Sequence, residues 1–144
     1  MAKVVAINSS EQKGQPKQAV ETGYFECNSG LQGDSHAGNW HRQVSLLGIE
    51  GVDKIKRLGF DNLATGSFAE NITTEGIVLF ELAIGTKLKI GKTLLEVTQI
   101  GKECHMGCAI REKTGDCVMP REGIFAKVLS PGWIKAGDLI ETIL

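Results

Sequence analysis

The alternation of apolar and polar residues predicts short β-strands along most of the chain. The clearest case is Lys87–Ile90, KLKI, which alternates strictly and is followed by Gly91 and Lys92. Residues 94–100 then form a run of apolar and β-branched side chains, so the two segments are predicted to pair as an antiparallel hairpin across a tight turn. The same pattern predicts strands at residues 2–8, 19–26 with a kink at Gly23, 43–47 and 139–144.

Helical spacing is confined to two short segments. Ile49, Val52 and Ile55 recur at helical intervals before Gly59, which predicts a helix over residues 50–58. A second helix, of about two turns, is predicted over residues 123–129, and residues 65–75 are predicted to be a loop. Many short strands between glycine turns, with only two modest helices, indicate one mostly β domain, an antiparallel barrel or folded sheet.

Composition narrows the range of partners. The chain has 144 residues, a formal net charge of -1 and no run of Lys or Arg, so neither nucleic acid nor an anionic membrane surface is an expected partner. No apolar run has the length of a membrane span, and the N-terminus does not resemble an export signal. A cytoplasmic protein is therefore expected, with its four cysteines reduced.

Three of the four cysteines cluster in one short segment. Cys104, His105 and Cys108 form C-H-x-x-C, and Cys117 follows nine residues later. Zinc sites usually have two closely spaced ligand pairs, so a zinc-stabilised domain remains an alternative that this spacing does not favour. Cys104 comes just after a predicted strand end at Gly101, where reactive groups are commonly held on a rigid scaffold. Cys108 and Cys117 are interpreted as small buried apolar residues, or Cys108 as a second thiol that resolves a persulfide.

A glycine-rich loop, GLQGDSHAG at residues 30–38, carries further candidate polar groups. His36 is a candidate for binding an anion or orienting a ligand, whereas Asp34 is equally well explained as a cap for backbone amides. Arg42 follows the loop, and Arg121 precedes the second predicted helix. Because a binding pocket needs polar groups from several segments, His36, Arg42 and Arg121 are predicted to form an anion pocket beside the cysteine segment.

Several of these stretches together resemble the MOSC domain family, which is named for the C-terminal domain of molybdenum-cofactor sulfurase. The segments that carry the resemblance are GLQGDSHAG, RQVSLL, GSFAENITTEGI, LAIGTKLKIG, LEVTQIGKEC and PREGIFAKVL, in family order. The resemblance is to the small stand-alone bacterial members. It implies a MOSC-type β-barrel with a few short helices, in which Cys104 is a sulfur carrier or a molybdenum ligand. It also implies that basic and polar side chains hold the molybdenum cofactor, molybdopterin. The residues at matching motif positions are His36, Arg42, Asn71 and Arg121.

Two functions fit these features. In the first, the protein binds molybdenum cofactor or a molybdenum–sulfur species through Cys104 and carries out sulfur transfer or reduction of N-hydroxylated compounds. In the second, it is a non-catalytic module that delivers cofactor or sulfur, taken from a sulfur donor, to a molybdoenzyme partner. Both use Cys104, so the sequence does not separate them, and the second thiol of CHMGC, Cys108, leaves a function other than reduction open.

Overall fold

Eleven short strands and one α-helix make up the regular secondary structure of the described part of the chain. The computed structural model describes residues 2–12, 17–57, 59, 65–101 and 122–143. The strands are β1 (Lys3–Ser9), β2 (Gln18–Val20), β3 (Thr22–Glu26), β4 (Gly30–Leu31), β5 (Val44–Gly48), β6 (Ile72–Glu75), β7 (Lys87–Ile90), β8 (Thr93–Ile100), β9 (Ile124–Ser130), β10 (Gly132–Lys135) and β11 (Ile140–Ile143). The helix α1 spans Ile49–Lys56, and a single 3-10 turn spans Leu79–Glu81.

The strands form two sheets. The larger has the order β11-β7-β8-β9-β5-β6-β1-β2, and the smaller has the order β10-β3-β4. All pairs are antiparallel except β5 with β6, which run parallel. A parallel pair needs a crossover connection, and α1 begins that connection directly after β5.

The core lies between the inner faces of both sheets. Its largest fully buried side chains include Phe25 of the smaller sheet and Ile7, Leu46, Leu88 and Leu95 of the larger one. Burying such residues is worth about 1.5–3 kcal/mol each, so this cluster is the main source of stability. No helix of the described residues is long and apolar enough to cross a membrane.

The hairpin and the first helix are confirmed. β7 and β8 pair with Leu88 opposite Leu95 and Ile90 opposite Thr93, across the turn at Gly91. α1 buries Val52 and Ile55 on one face, as the helical spacing predicts, and its acidic and basic residues lie at the ends that favour them.

The helix predicted over residues 123–129 is wrong, because this segment forms β9. The strand lies between β8 and β5, and Ile124, Phe125, Ala126 and Val128 are all buried. A strand that is covered on both faces has a continuous apolar run, which periodicity cannot distinguish from a buried helix.

Two further differences concern short strands. Residues 72–75, predicted to be loop, form β6, where Thr73 and Thr74 are buried in place of apolar residues. The strand predicted over residues 19–26 is divided at Glu21, not at Gly23. Its first part pairs with β1 in the larger sheet and its second with β10 in the smaller, so the chain must change sheets there.

The mostly β fold is confirmed, but the described residues do not form a closed barrel. The start of β1 does lie beside the segment before β11, since Val4 N donates to Asp138 O (2.8 Å) and Ile140 N to Ala2 O (3.0 Å). Further along, however, the same edge of β1 is taken by β2. The contact is therefore a short patch rather than a ladder, and β11 and β2 remain the two ends of the sheet.

Candidate functional site

A small cleft lies where the glycine-rich loop meets the larger sheet. Its volume is about 110 Å³, and its lining residues come from four segments: His36, Trp40, Arg42, Ser45, Phe68, Ala69 and Phe125. Two of the predicted site residues, His36 and Arg42, thus meet in one cleft. The lining combines aromatic side chains with polar and cationic ones, which suits a ligand with both an anionic and a planar part.

The glycine-rich loop is held by Asp34. Its Oδ2 accepts a hydrogen bond from His36 N (3.0 Å), and its Oδ1 accepts one from Ser10 N (3.1 Å). The capping role considered for Asp34 is therefore what the structure shows. The Asp34 side chain also reaches the end of β1, which fixes the loop against the larger sheet.

A buried ion pair lies beneath this loop. Lys17 Nζ is 2.7 Å from Asp34 Oδ1, and both side chains are fully shielded from solvent. Burial opposes the ionisation of Asp34, but hydrogen bonds from Lys17 and from the Ser10 amide, with the charge of Lys17, outweigh it. The pKa of Asp34 is accordingly held below its ordinary value of 3.8.

Lys17 also contacts the imidazole of His36. Its Nζ is 2.9 Å from His36 Nδ1 and 3.2 Å from Ser10 Oγ. The imidazole is about one-third exposed, and the indole Nε1 of Trp40 donates to His36 O (2.9 Å). Hydrogen bonds to the main chain of His36 and the contact of Lys17 with its ring thus hold this residue in place.

Arg42 is held by an aromatic ring and an amide. Its guanidinium carbon lies 5.2 Å from the ring centroid of Phe125, and its Nε donates to Gln99 Oε1 (3.0 Å). His41 Nε2 lies 2.9 Å from the same Gln99 oxygen. Because Arg remains charged at all ordinary pH values, Arg42 is a fixed positive charge in the cleft.

The described residues that flank the cysteine segment are hydrogen-bonded to each other and to Gln99. Gly101 N donates to Gly123 O (2.6 Å), which joins the residue after β8 to the residue before β9. Gln99 Nε2 donates to Gly101 O (2.8 Å) while its Oε1 accepts from Arg42. Gly101 and Gly123 are therefore joined to each other, and Gly101 is connected through Gln99 to Arg42 in the cleft.

The loop at residues 65–70 is organised by a buried carboxyl group. Glu70 Oε2 accepts hydrogen bonds from Gly66 N (3.1 Å) and Thr73 Oγ1 (2.8 Å), and its Oε1 accepts one from Phe68 N (3.3 Å). Burial has the largest effect and raises the pKa of Glu70, while these hydrogen bonds partly oppose it. Glu70 in this way shapes the loop that places Phe68 and Ala69 in the cleft.

Asn71 lies behind the cleft rather than on its wall. It is fully buried, its Oδ1 accepts from Ser45 N (3.0 Å) and Ser45 Oγ (3.2 Å), and its Nδ2 donates to Asn8 O (3.3 Å). These contacts fix Ser45, which does line the cleft. The predicted role of Asn71 in cofactor binding stays a prediction.

The predicted thiol site is outside the described residues. Cys104, Cys108, Cys117 and Arg121 all belong to residues 102–121. Within the described part of the chain, no group of three or more His, Cys, Asp or Glu side chains is arranged to hold a metal ion. Cys27, the cysteine outside that segment, is exposed and free, and its Sγ donates to Leu129 O (3.4 Å).

A larger cavity, of about 330 Å³, lies beside the first turn of α1. It is lined mainly by apolar side chains and glycines, with the Lys54–Glu122 ion pair (2.7 Å) among its lining residues. None of the described residues predicted to form the site lines it, and a cavity's size alone does not show chemistry.

Sequence reasoning missed Lys17, Gln99 and Glu70. The burial of Lys17 depends on a partner 17 residues away, and the role of Gln99 depends on strand pairing, so neither has a local signal. Glu70 does have one, because an acidic residue following a short glycine and serine loop commonly accepts the loop's backbone amides.

The fold and the geometry of the described residues define a mostly β domain with a small cleft lined by cationic and aromatic side chains. Residues 33–141 match the sequence model of the MOSC domain, and the chain belongs to the MOSC domain family. A search of curated protein sequences gave no significant match.

Solved structures with the same fold include YuaD from Bacillus subtilis, with a TM-score of 0.79 and 18% identity over 99% of this chain and 96% of that one. YiiM from Geobacillus stearothermophilus has a TM-score of 0.74 and 19% identity, over 100% of this chain and 76% of that one. YiiM from Escherichia coli has a TM-score of 0.71 and 19% identity, over 100% of this chain and 70% of that one. At these identities the likeness shows the fold alone.

Proposed function

We propose that this protein binds the molybdenum cofactor, or a molybdenum–sulfur species, and that Cys104 ligates the metal or carries the sulfur as a persulfide. Membership of the MOSC domain family, named for a domain of molybdenum-cofactor sulfurase, supports this class of ligand. A thiolate is a soft ligand and a strong sulfur nucleophile, so it suits both roles.

The observation that carries the proposal is the hydrogen bonding of the described residues that flank the cysteine segment. Gly101 is bonded to Gly123 and, through Gln99, to Arg42. Cys104 follows Gly101 by three residues, and three residues span at most about 11 Å even when fully extended. This short separation supports the proposal that the thiol acts at the cleft.

The described walls fit one end of the cofactor. Arg42 supplies a fixed positive charge, and Phe125 and Trp40 supply aromatic surface. The volume of about 110 Å³ is below the roughly 300 Å³ that encloses a whole small ligand. We infer that the cleft holds an anionic group such as the cofactor phosphate, with His36 and Arg42 in contact with it, Asn71 positioning Ser45, and Arg121 as a further cation.

When bound, the cofactor supplies a redox-active metal with exchangeable oxygen and sulfur ligands. The chain binds the anionic end, orients it through the Gln99–Arg42 hydrogen bond and presents the thiol. A free, exposed thiol at Cys27 favours a reducing setting, so we infer that the protein works in the cytoplasm.

The test compares Cys104→Ser with Cys27→Ser in protein purified from its own host, with molybdenum, zinc and sulfane sulfur measured per chain. We expect the wild type and Cys27→Ser to retain molybdenum or sulfane sulfur and Cys104→Ser to lose it. Equal retention in Cys104→Ser would refute the proposal, as would one zinc per chain with neither molybdenum nor sulfane sulfur.

Activity separates an enzyme from a delivery module. Turnover of an N-hydroxylated substrate with a reductant, lost in Cys104→Ser, would show a reductase. No turnover, together with transfer of molybdenum or sulfur to an apo-molybdoenzyme, would show a delivery module.

A further inference from the structure

The ammonium group of Lys17 determines how His36 can act in the cleft. An ammonium has three N–H donors and no lone pair. Three acceptors surround Nζ: Asp34 Oδ1 at 2.7 Å, His36 Nδ1 at 2.9 Å and Ser10 Oγ at 3.2 Å. Each donor thus has one partner, and the Lys17 side chain is fully shielded from solvent.

This arrangement selects one form of the imidazole. A hydrogen on His36 Nδ1 would point at the Lys17 ammonium, which cannot accept it. Nδ1 must therefore be the acceptor, and in the neutral ring the hydrogen is then on Nε2. The Asp34 carboxylate, 3.9 Å from Nδ1, would favour a proton there, but Lys17 lies closer to the ring nitrogen than Asp34 does.

We propose that Lys17 is the positioning residue of the cleft and holds His36 as the neutral Nε2–H tautomer. His36 then has a hydrogen-bond donor at Nε2 and no charge, so its part in the predicted anion pocket is that of a neutral donor. Among the described residues that line the cleft, Arg42 alone then carries a full positive charge. This arrangement favours a ligand with an anionic group that is held by one cation and by neutral hydrogen-bond donors. The inference about the ligand rests on the function proposed above.

The main chain of Lys17 also contacts the second loop that lines the cleft. Its backbone N donates to Gly66 O (2.8 Å), and Gly66 N donates in turn to Glu70 Oε2 (3.1 Å). Lys17 therefore connects the loop that carries His36 with the loop that carries Phe68 and Ala69.

Imidazole nitrogen NMR on the ¹⁵N-labelled protein alone, at pH 7.5, tests the tautomer without any ligand. His36 is assigned by the signal lost in His36→Gln. We expect a bare Nδ1 and a protonated Nε2 in the wild type. A proton on Nδ1 in the wild type would overturn the proposal, whatever the fate of any variant.

Two variants separate positioning from simple support. In Lys17→Met the ammonium is gone while Asp34 remains, so His36 Nδ1 is expected to gain a proton. In Lys17→Met/Asp34→Asn both charges are gone, and His36 is expected to give the mixed, pH-dependent signal of an ordinary histidine. His41, which contacts Gln99 instead, should keep its signals throughout.

An unchanged bare Nδ1 in folded Lys17→Met would show that Lys17 only supports the fold. Because the spectra are recorded on protein without cofactor, this result is independent of whether the cleft binds molybdenum cofactor.

Discussion

Replacing Gly66 by alanine probes the loop that forms one wall of the cleft. Gly66 has φ +85°, and a Cβ there would clash with the carbonyl oxygen of Lys17 and lie 2.7 Å from its carbonyl carbon. The left-handed conformation costs alanine about 1–2 kcal/mol. Forcing the backbone of Lys17 away adds about 1–3 kcal/mol, the usual cost of overpacking. We therefore expect Gly66→Ala to lower the free energy of unfolding by about 2–5 kcal/mol, the sum of these two costs.

The chain offers a matched control in Gly33. It has the same φ, +85°, but an added Cβ would meet nothing within 4 Å. Gly33→Ala should thus show only the conformational cost of about 1–2 kcal/mol. The difference between the two variants isolates the close approach of Gly66 to Lys17.

Urea unfolding at pH 7.5, followed by tryptophan fluorescence and analysed with a common slope, measures both changes. Equal destabilisation of Gly66→Ala and Gly33→Ala would refute the reasoning, because it would mean that the contact with Lys17 is absent or yields without cost. A folded Gly66→Ala should also disturb the imidazole signal of His36, since Lys17 contacts that ring.

Two further predictions concern ionisation and thiol reactivity. Because the pKa of Asp34 is lowered on folding, its stabilising effect is present above its ordinary value of 3.8 and is lost as the pH falls through the lowered folded value. Urea unfolding from pH 6 to pH 2.5 should show this loss as a fall in the free energy of unfolding of the wild type. If the free energy of unfolding of Lys17→Met/Asp34→Asn fell equally steeply with pH, the prediction would be contradicted. Timed alkylation with peptide mapping should modify Cys104 before Cys108 and Cys117, because Lys102 and His105 are close to Cys104 in sequence and favour its thiolate. Earlier labelling of Cys27 or Cys117 would count against Cys104 as the reactive thiol.

The sequence predicts those parts of the fold in which side-chain alternation reports one buried face. The β7–β8 hairpin and α1 are of this kind. It fails at β9, which is covered on both faces, and at β6, where the threonines Thr73 and Thr74 are buried and Thr73 donates a hydrogen bond to Glu70. In both cases the neighbours of the strand, and not its own pattern, determine the structure.

For the candidate site, the sequence identifies residues of the right chemical type but not the residues that hold them in place. A histidine in a glycine-rich loop and an arginine after it are recognisable in the sequence as candidate ligand-binding residues. In the structure His36 and Arg42 do line the same cleft. The groups that hold them, Lys17 and Gln99, are distant in sequence and become partners only in the tertiary structure. The anion pocket with Arg121 stays a prediction, because Arg121 lies outside the described residues.

The interior beneath the cleft is unusually polar for so small a domain. Lys17, Asp34, Glu70 and Asn71 are all buried, and the raised pKa of Glu70 shows that its burial is not fully compensated. Apolar residues of similar volume are often as stabilising as a buried ion pair, or more so. Each of these groups, however, fixes a residue that lines the cleft: Lys17 and Asp34 hold His36, Glu70 holds Phe68, and Asn71 holds Ser45. Their hydrogen bonds are directional, whereas apolar contacts would let both loops shift against the sheet. The polar interior is therefore best explained as the structure that keeps the cleft in one conformation.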